Sequence, residues 1–271
     1  MSSLTPGHVL RGARWNYRVL EPVNGDGTHI STVFKAQVVP RERVVPEVEV
    51  PEWFVKYCPN MHIYSLAKSF LRAAFTSCVV LENYEYVNTD YKPANILLSG
   101  IRTDRVIAKV GDLGLVVPVG ELINAQSYAM RAPEVFLGKV CTEPSQVWAV
   151  AAMLLRWIKP GVLGAWNSPL LVLNEAWSTA NIQRLFPYWK LSTPETDLLK
   201  VTVKSTRSLS EGVPELQAIL PLDEETKKVE MPQQLRDLLR FILVPDPKLR
   251  PSASSVLASS EFQEFENYVR E

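Results

Sequence analysis

The chain has 271 residues, 46% of them hydrophobic, enough to bury a real core as one large domain or as a small lobe on a larger one. Its 29 basic and 29 acidic residues cancel, so no long-range field draws the whole molecule toward nucleic acid or anionic lipid. Three cysteines, Cys58, Cys78 and Cys141, show no C-x-x-C spacing; this argues against a disulfide framework or a zinc cluster and fits a reducing, cytoplasmic or nuclear compartment. The N-terminus lacks the apolar core of a signal peptide. The most apolar later run, Val147 to Ile158, is too short to span a bilayer and contains Arg156, so it reads as a buried helix rather than a membrane span.

In chain order, residues 17 to 57 favour strands. YRVLEPV, HISTVFKAQVV and VEVPEWFVKY are rich in Val, Thr and aromatics, with Asn24-Gly25 and Asp26-Gly27 as turn signals between the first two. RERVVPEVEVP, with two prolines and scattered charge, reads as a connecting loop. From His62 to Leu81 the period turns helical, with Leu66, Phe70, Ala74, Cys78 and Leu81 on one face. A strand-like pair follows at Asn95–Leu98 and Val106–Val110, then an irregular segment. Beyond Pro144, helices are predicted at Gln146–Ile158, Leu173–Leu185, Gln233–Val244 and Ala253–Ser259. A mainly β first part before a mainly α second part makes an α+β chain with two unequal lobes.

The stretch NTDYKPANILL, residues 88 to 98, gathers groups that suit phosphoryl transfer. That reaction needs metal ligands, a cation on the phosphates and a carboxylate that orients the attacking hydroxyl. Asp90 suits the carboxylate role, Lys92 the cation, and Asn95 offers an amide oxygen to Mg2+, with Pro93 fixing the turn between them. Farther on, Asp112-Leu113-Gly114 places a second hard oxygen after a strand-like run, and Gly114 allows a sharp turn.

These residues resemble the signature of the eukaryotic protein kinases, D-x-K-x-x-N followed by D-F-G and A-P-E. Arg131-Ala132-Pro133-Glu134 looks like the A-P-E end of an activation segment, and Leu249-Arg250-Pro251-Ser252 like the late R-P-[ST]. The resemblance implies a two-lobed protein-kinase-like fold: one domain over 1–271, with a small N-lobe remnant at about 17–60 and a C-lobe at about 61–262. It also implies a Glu134–Arg250 ion pair. Thr89 before the aspartate, Leu113 in place of phenylalanine and HISTVF are similar to the SR-protein kinases and related fungal proteins. The resemblance therefore implies ATP and Mg2+ as cofactors, transfer to Ser or Thr hydroxyls, and protein substrates of an Arg-Ser-rich kind. Gly25 and Gly27, with Val33 beyond, resemble the loop that covers the ATP phosphates. Lys56 looks like the strand lysine that grips them.

The chain also departs from that pattern. Only 33 residues separate Lys56 from Asp90, whereas a glutamate-bearing helix, two strands, the adenine hinge and two further helices need roughly 45 or more. Two assignments stay open: the helix at 62–81 runs straight into the catalytic loop, or Cys78–Glu85 is the hinge strand. Gln146 stands where kinases carry an aspartate that accepts backbone N–H groups from the loop, and a neutral amide is the weaker acceptor. Asn88 replaces the usual histidine. These departures give an alternative expectation, a catalytically impaired kinase-like binding module or a mis-spliced product of a full kinase gene.

Overall fold

A computed structural model of the chain describes residues 5–7, 9–11, 16–23, 33–39, 63–100, 106–121, 126–166, 168–191 and 196–269. The chain divides into two compact units, Met1–Tyr57 and Cys58–Glu271.

In the first unit, β1 (Val9–Arg11), β2 (Asn16–Val23) and β3 (Val33–Val39) form an antiparallel sheet in the order β1-β2-β3. Val19 of β2 is buried, and its carbonyl accepts from the Gly7 amide at 2.7 Å. The register of β2 against β3 shifts between Val19 and Glu21. The predicted strand ending at Tyr57, and with it Lys56, lies outside the described residues, as do Gly25 and Gly27.

The second unit opens with α1 (Ile63–Glu82), one residue displaced from the span its periodicity predicts. Phe70, Leu71, Ala74, Phe75 and Cys78 are buried on its inner face. Helix continues through Glu82, and the turn 83–85 leads directly to β4 (Tyr86–Asn88). This removes the alternative in which Cys78–Glu85 is a strand: the spacing of apolar residues at three and four positions prevails over the local Val79-Val80 signal. Two short ladders follow. β5 (Ile96–Ser99) pairs with β6 (Ile107–Val110), and β4 pairs with β7 (Val116–Pro118), all antiparallel.

Beyond them come α2 (Pro133–Phe136), α3 (Glu143–Ile158), α4 (Asn174–Leu185), α5 (Asp197–Gly212), α6 (Pro214–Gln217), α7 (Leu222–Lys227), α8 (Gln233–Ile242), α9 (Ala253–Ala258) and α10 (Ser260–Tyr268). Apolar on every side, α3 is the axis of this unit, with every residue from Ser145 to Leu155 buried. Around it pack the inner face of α1, the Leu235, Leu238, Leu239 and Ile242 face of α8, and Phe262 and Phe265 of α10. Arg72 of α1 reaches across to Glu266 of α10 with a forked pair of bonds, and its guanidinium lies over the Phe262 ring. Among the described residues, no helix is long and apolar enough to cross a membrane.

Candidate active site

The two short ladders position the site. β4 and β7 pair Asn88 with Val116, while β5 and β6 pair Ile96 with Val110. Residues 89–95 and 111–115 are thereby the two connections between the same ladders, held side by side. The Gly111 amide donates to the Asn95 carbonyl at 2.8 Å, and Thr89 gives both its amide (3.1 Å) and its hydroxyl (2.9 Å) to the Leu115 carbonyl. Gly111 has little room for a side chain: a Cβ there would lie 3.0 Å from Leu97 Cδ1.

Within the first connection, Asp90 is the centre. Lys92 Nζ lies 2.9 Å from its Oδ2, and Asn95 Nδ2 donates to the same oxygen at 2.9 Å and to the Asp90 carbonyl at 2.8 Å. Asn88 Oδ1 accepts the Asp90 amide at 2.9 Å, an Asx turn that sets the carboxylate's direction. Pro93 opens the 3-10 turn Pro93–Asn95, which makes the Lys92 and Asn95 contacts compatible. Between the two polar residues, Tyr91 points the opposite way and is buried. Its hydroxyl accepts from Cys78 Sγ at 3.3 Å and donates to Ser77 Oγ at 3.1 Å, and burial pushes its phenol well above the ordinary range.

Asp112 lies one residue beyond Gly111, at φ 51°. Aspartate tolerates that left-handed conformation because its short side chain bonds locally, here accepting the Gly114 amide at 3.3 Å. Leu113 beside it is 58% exposed.

The donor set suits a hard cation bound with substrate phosphates. Among the described residues, both bonds of the Asn95 amide use its nitrogen, and its oxygen is the atom suited to accept a metal. Among the described residues no group of three or more His, Cys, Asp or Glu forms a metal cage. Magnesium commonly takes only one or two protein oxygens and completes its octahedron with water and phosphate.

The loop is braced from two sides. Gln146, fully buried on α3, accepts the Asn88 amide through Oε1 at 2.8 Å. This is one backbone acceptor contact from a neutral amide, and both Gln146 Nε2 and Asn88 Nδ2 are buried with no acceptor among the described residues. Asn88 takes part in the bracing through its Asx turn and its place in β4.

Gln126 forms the second brace, and no spacing in the sequence singles it out. Its amide donates to the Thr89 carbonyl at 3.0 Å, Oε1 accepts the Ala132 amide at 2.9 Å, and Nε2 donates to the Ser145 carbonyl at 3.2 Å. Arg131 grips its carbonyl through Nε and Nη2 at 3.2 and 3.0 Å, and ion-pairs with Glu175 of α4 at 2.9 Å.

Glu134 and Arg250 form a bidentate pair at 2.8 and 2.9 Å. Ser145 Oγ adds a donor to Glu134 at 2.8 Å. The remaining guanidinium hydrogens reach the Val244, Pro144 and Pro245 carbonyls, and the Arg250 guanidinium lies over the Trp148 ring. Val33 heads β3 opposite Val23. Gly25, Gly27 and Lys56, the other candidate phosphate contacts, lie outside the described residues.

No protein-family model matches the chain. It is 25% identical over 185 residues to the Drosophila melanogaster stress-activated protein kinase JNK, a match covering 63% of this chain and 46% of that protein. It is 27% identical over 195 residues to the Caenorhabditis elegans GLH-binding kinase 1, covering 65% of this chain and 46% of that protein. The chain thus spans less than half the length of these curated relatives. Among solved structures it is similar to the yeast RNA Pol II CTD kinase CTDK-1 complex, with a TM-score of 0.58 and 16% identity over 94% of this chain and 75% of that one. The α+β fold is that of the protein kinases, and the sequence relatives are themselves protein kinases.

Proposed function

We propose that the chain is an ATP-dependent Ser/Thr protein kinase, with the first unit as the small lobe and the second as the large one. The observation that carries this reading is the convergence of Lys92 Nζ and Asn95 Nδ2 on one oxygen of Asp90, both at 2.9 Å. A carboxylate held in this way is aimed in one direction, as a group that accepts a hydroxyl proton must be. In the step itself, the substrate hydroxyl oxygen bonds to the γ-phosphorus, the bond to the β–γ bridging oxygen breaks, the hydroxyl proton passes to Asp90, and ADP leaves. Lys92 offsets charge on the transferred group. Asn95 and Asp112 would hold Mg2+, which when bound neutralises the phosphate oxygens. Gly25, Gly27, Val33 and Lys56 are proposed as the nucleotide contacts of the first unit.

Within the family, Thr89 and Leu113 favour the SR-protein-kinase-like group, and with it Arg-Ser-rich protein substrates. The test is transfer of the γ-phosphate from Mg-ATP to Arg-Ser peptides, to arginine-free Ser/Thr peptides and to Tyr peptides. Transfer to the first class above an Asp112→Ala control supports the full reading. Transfer only to arginine-free Ser/Thr peptides keeps the kinase and removes the Arg-Ser preference. Transfer to none, beyond the control, removes the kinase reading.

A second reading, a kinase-like binding module that holds nucleotide poorly or not at all, is favoured by one observation: residues 63–90 contain only α1, a turn and β4. That leaves no room there for a hinge or for a second helix besides α1. Absence of both Mg-ATP binding and transfer in a well-folded chain selects it.

A further inference from the structure

We infer that Gln126 is a positioning residue that couples the segment ending in Glu134 to the Asp90 loop. Its four polar groups reach three parts of the fold. The backbone amide holds the Thr89 carbonyl, one residue before Asp90, while the side chain bridges the Ala132 amide and the Ser145 carbonyl at the start of α3. Its carbonyl takes both prongs of Arg131, which continues to Glu175 on α4.

The geometry is demanding. Gln126 sits at φ 69° and is 7% exposed, a left-handed conformation that glutamine adopts only when its surroundings fix it. The side-chain bonds supply that fixing. Without them, nothing in the residue's own preference keeps its amide on Thr89. Gln126 and Gln146 then act as a matched pair, one securing the Thr89 carbonyl and the other the Asn88 amide, so each of the two residues leading into Asp90 is held. The Gln126 side chain touches neither Asp90 nor Lys92, so its influence on chemistry is indirect, and its role in transfer rests on the kinase reading above.

The experiment is residue-resolved hydrogen exchange on the full chain, comparing wild type with Gln126→Met, which keeps length and apolar volume but removes the amide. Exchange at Asn88, Thr89, Asp90 and Asn95 is expected to accelerate about tenfold, the scale of losing one or two buried hydrogen bonds, while α8 and α10 remain unchanged. Gln126→Glu keeps the acceptor for Ala132 but sets a carboxylate oxygen against the Ser145 carbonyl. It should fall between the other two, and it serves as the test if Gln126→Met does not fold. If wild type transfers phosphate, kcat should fall with little change in KM for ATP. If wild type transfers none, the kinase reading fails and the exchange data alone decide the coupling. Acceleration confined to residues 127–134, with 88–95 within about twofold of wild type, overturns the inference.

Discussion

Gln146 Oε1 accepts the amide of Asn88 at 2.8 Å, and both residues are fully buried. Asn88 in turn directs Asp90 through its own side chain. Gln146→Leu would leave the Asn88 amide unpaired in the interior. The expected cost is about 1–3 kcal/mol, read as a lowered urea midpoint, with faster exchange at Asn88 and Asp90. An unchanged midpoint and unchanged exchange would show that this brace contributes nothing.

The Glu134–Arg250 pair is buried on both sides, with the Arg250 side chain 0% exposed. Removing one partner strands the other charge, so Glu134→Gln or Arg250→Met should each cost about 3–5 kcal/mol. The double variant should lose less than the sum of the two. Arg250→Lys should not rescue, since a point charge cannot match two carboxylate oxygens and three carbonyls at once. Chemical denaturation of wild type and the four variants measures this, and strict additivity of Glu134→Gln and Arg250→Met would contradict it.

Acid should weaken the packing of α7 against its neighbours. Burial pushes the Glu225 carboxyl up, but the Leu220 amide, Lys228 and Lys159 outweigh it and leave the group below its ordinary value. A carboxyl whose folded value is depressed contributes stability above its unfolded value of about 4.3 and loses it as pH falls through the folded one. Urea midpoints followed downward from pH 7 should therefore decline less steeply in Glu225→Gln than in wild type. Parallel profiles would remove Glu225 from the account.

Cys78 and Cys141 should resist alkylation in the folded chain. Burial pushes both thiols up to about 12, so almost no thiolate exists at pH 8. Peptide mass spectrometry after iodoacetamide at pH 8 should find both unlabelled until urea unfolds the chain. Prompt labelling of Cys78 would mean that α1 separates from Tyr91 in the native state.

Much of this could be read from local sequence, and the remainder depends on long-range pairing. α1 was legible because five apolar residues mark one helical face, and β5 and β6 because their apolar runs are bounded by polar turns. β4 and β7, three residues each, carry no period of their own; they exist because Asn88 meets Val116 across the site. α5 carries no clear local signal because its Lys, Thr and Ser content masks a stripe in which only Val203, Thr206 and Ser210 are buried. In the site, Asp90, Lys92 and Asn95 fall within one turn, so their spacing suffices to bring them together. Gln126 has no such signal, since its importance comes from φ 69° and from partners at Thr89 and Ser145. The weakness of Gln146 as an acceptor was legible as chemistry. The two buried amide nitrogens left without an acceptor among the described residues were visible only in the fold.

The most direct test of the central claim is single-turnover transfer of the γ-phosphate from Mg-ATP, comparing wild type with Asp90→Asn. Asparagine keeps the size and the contact with Asn95 but cannot take the hydroxyl proton. The account predicts measurable transfer by wild type and a loss of about 10²- to 10⁴-fold in the variant, with the unfolding midpoint little changed. Equal rates in the two proteins, or no transfer by a well-folded wild type, would contradict it.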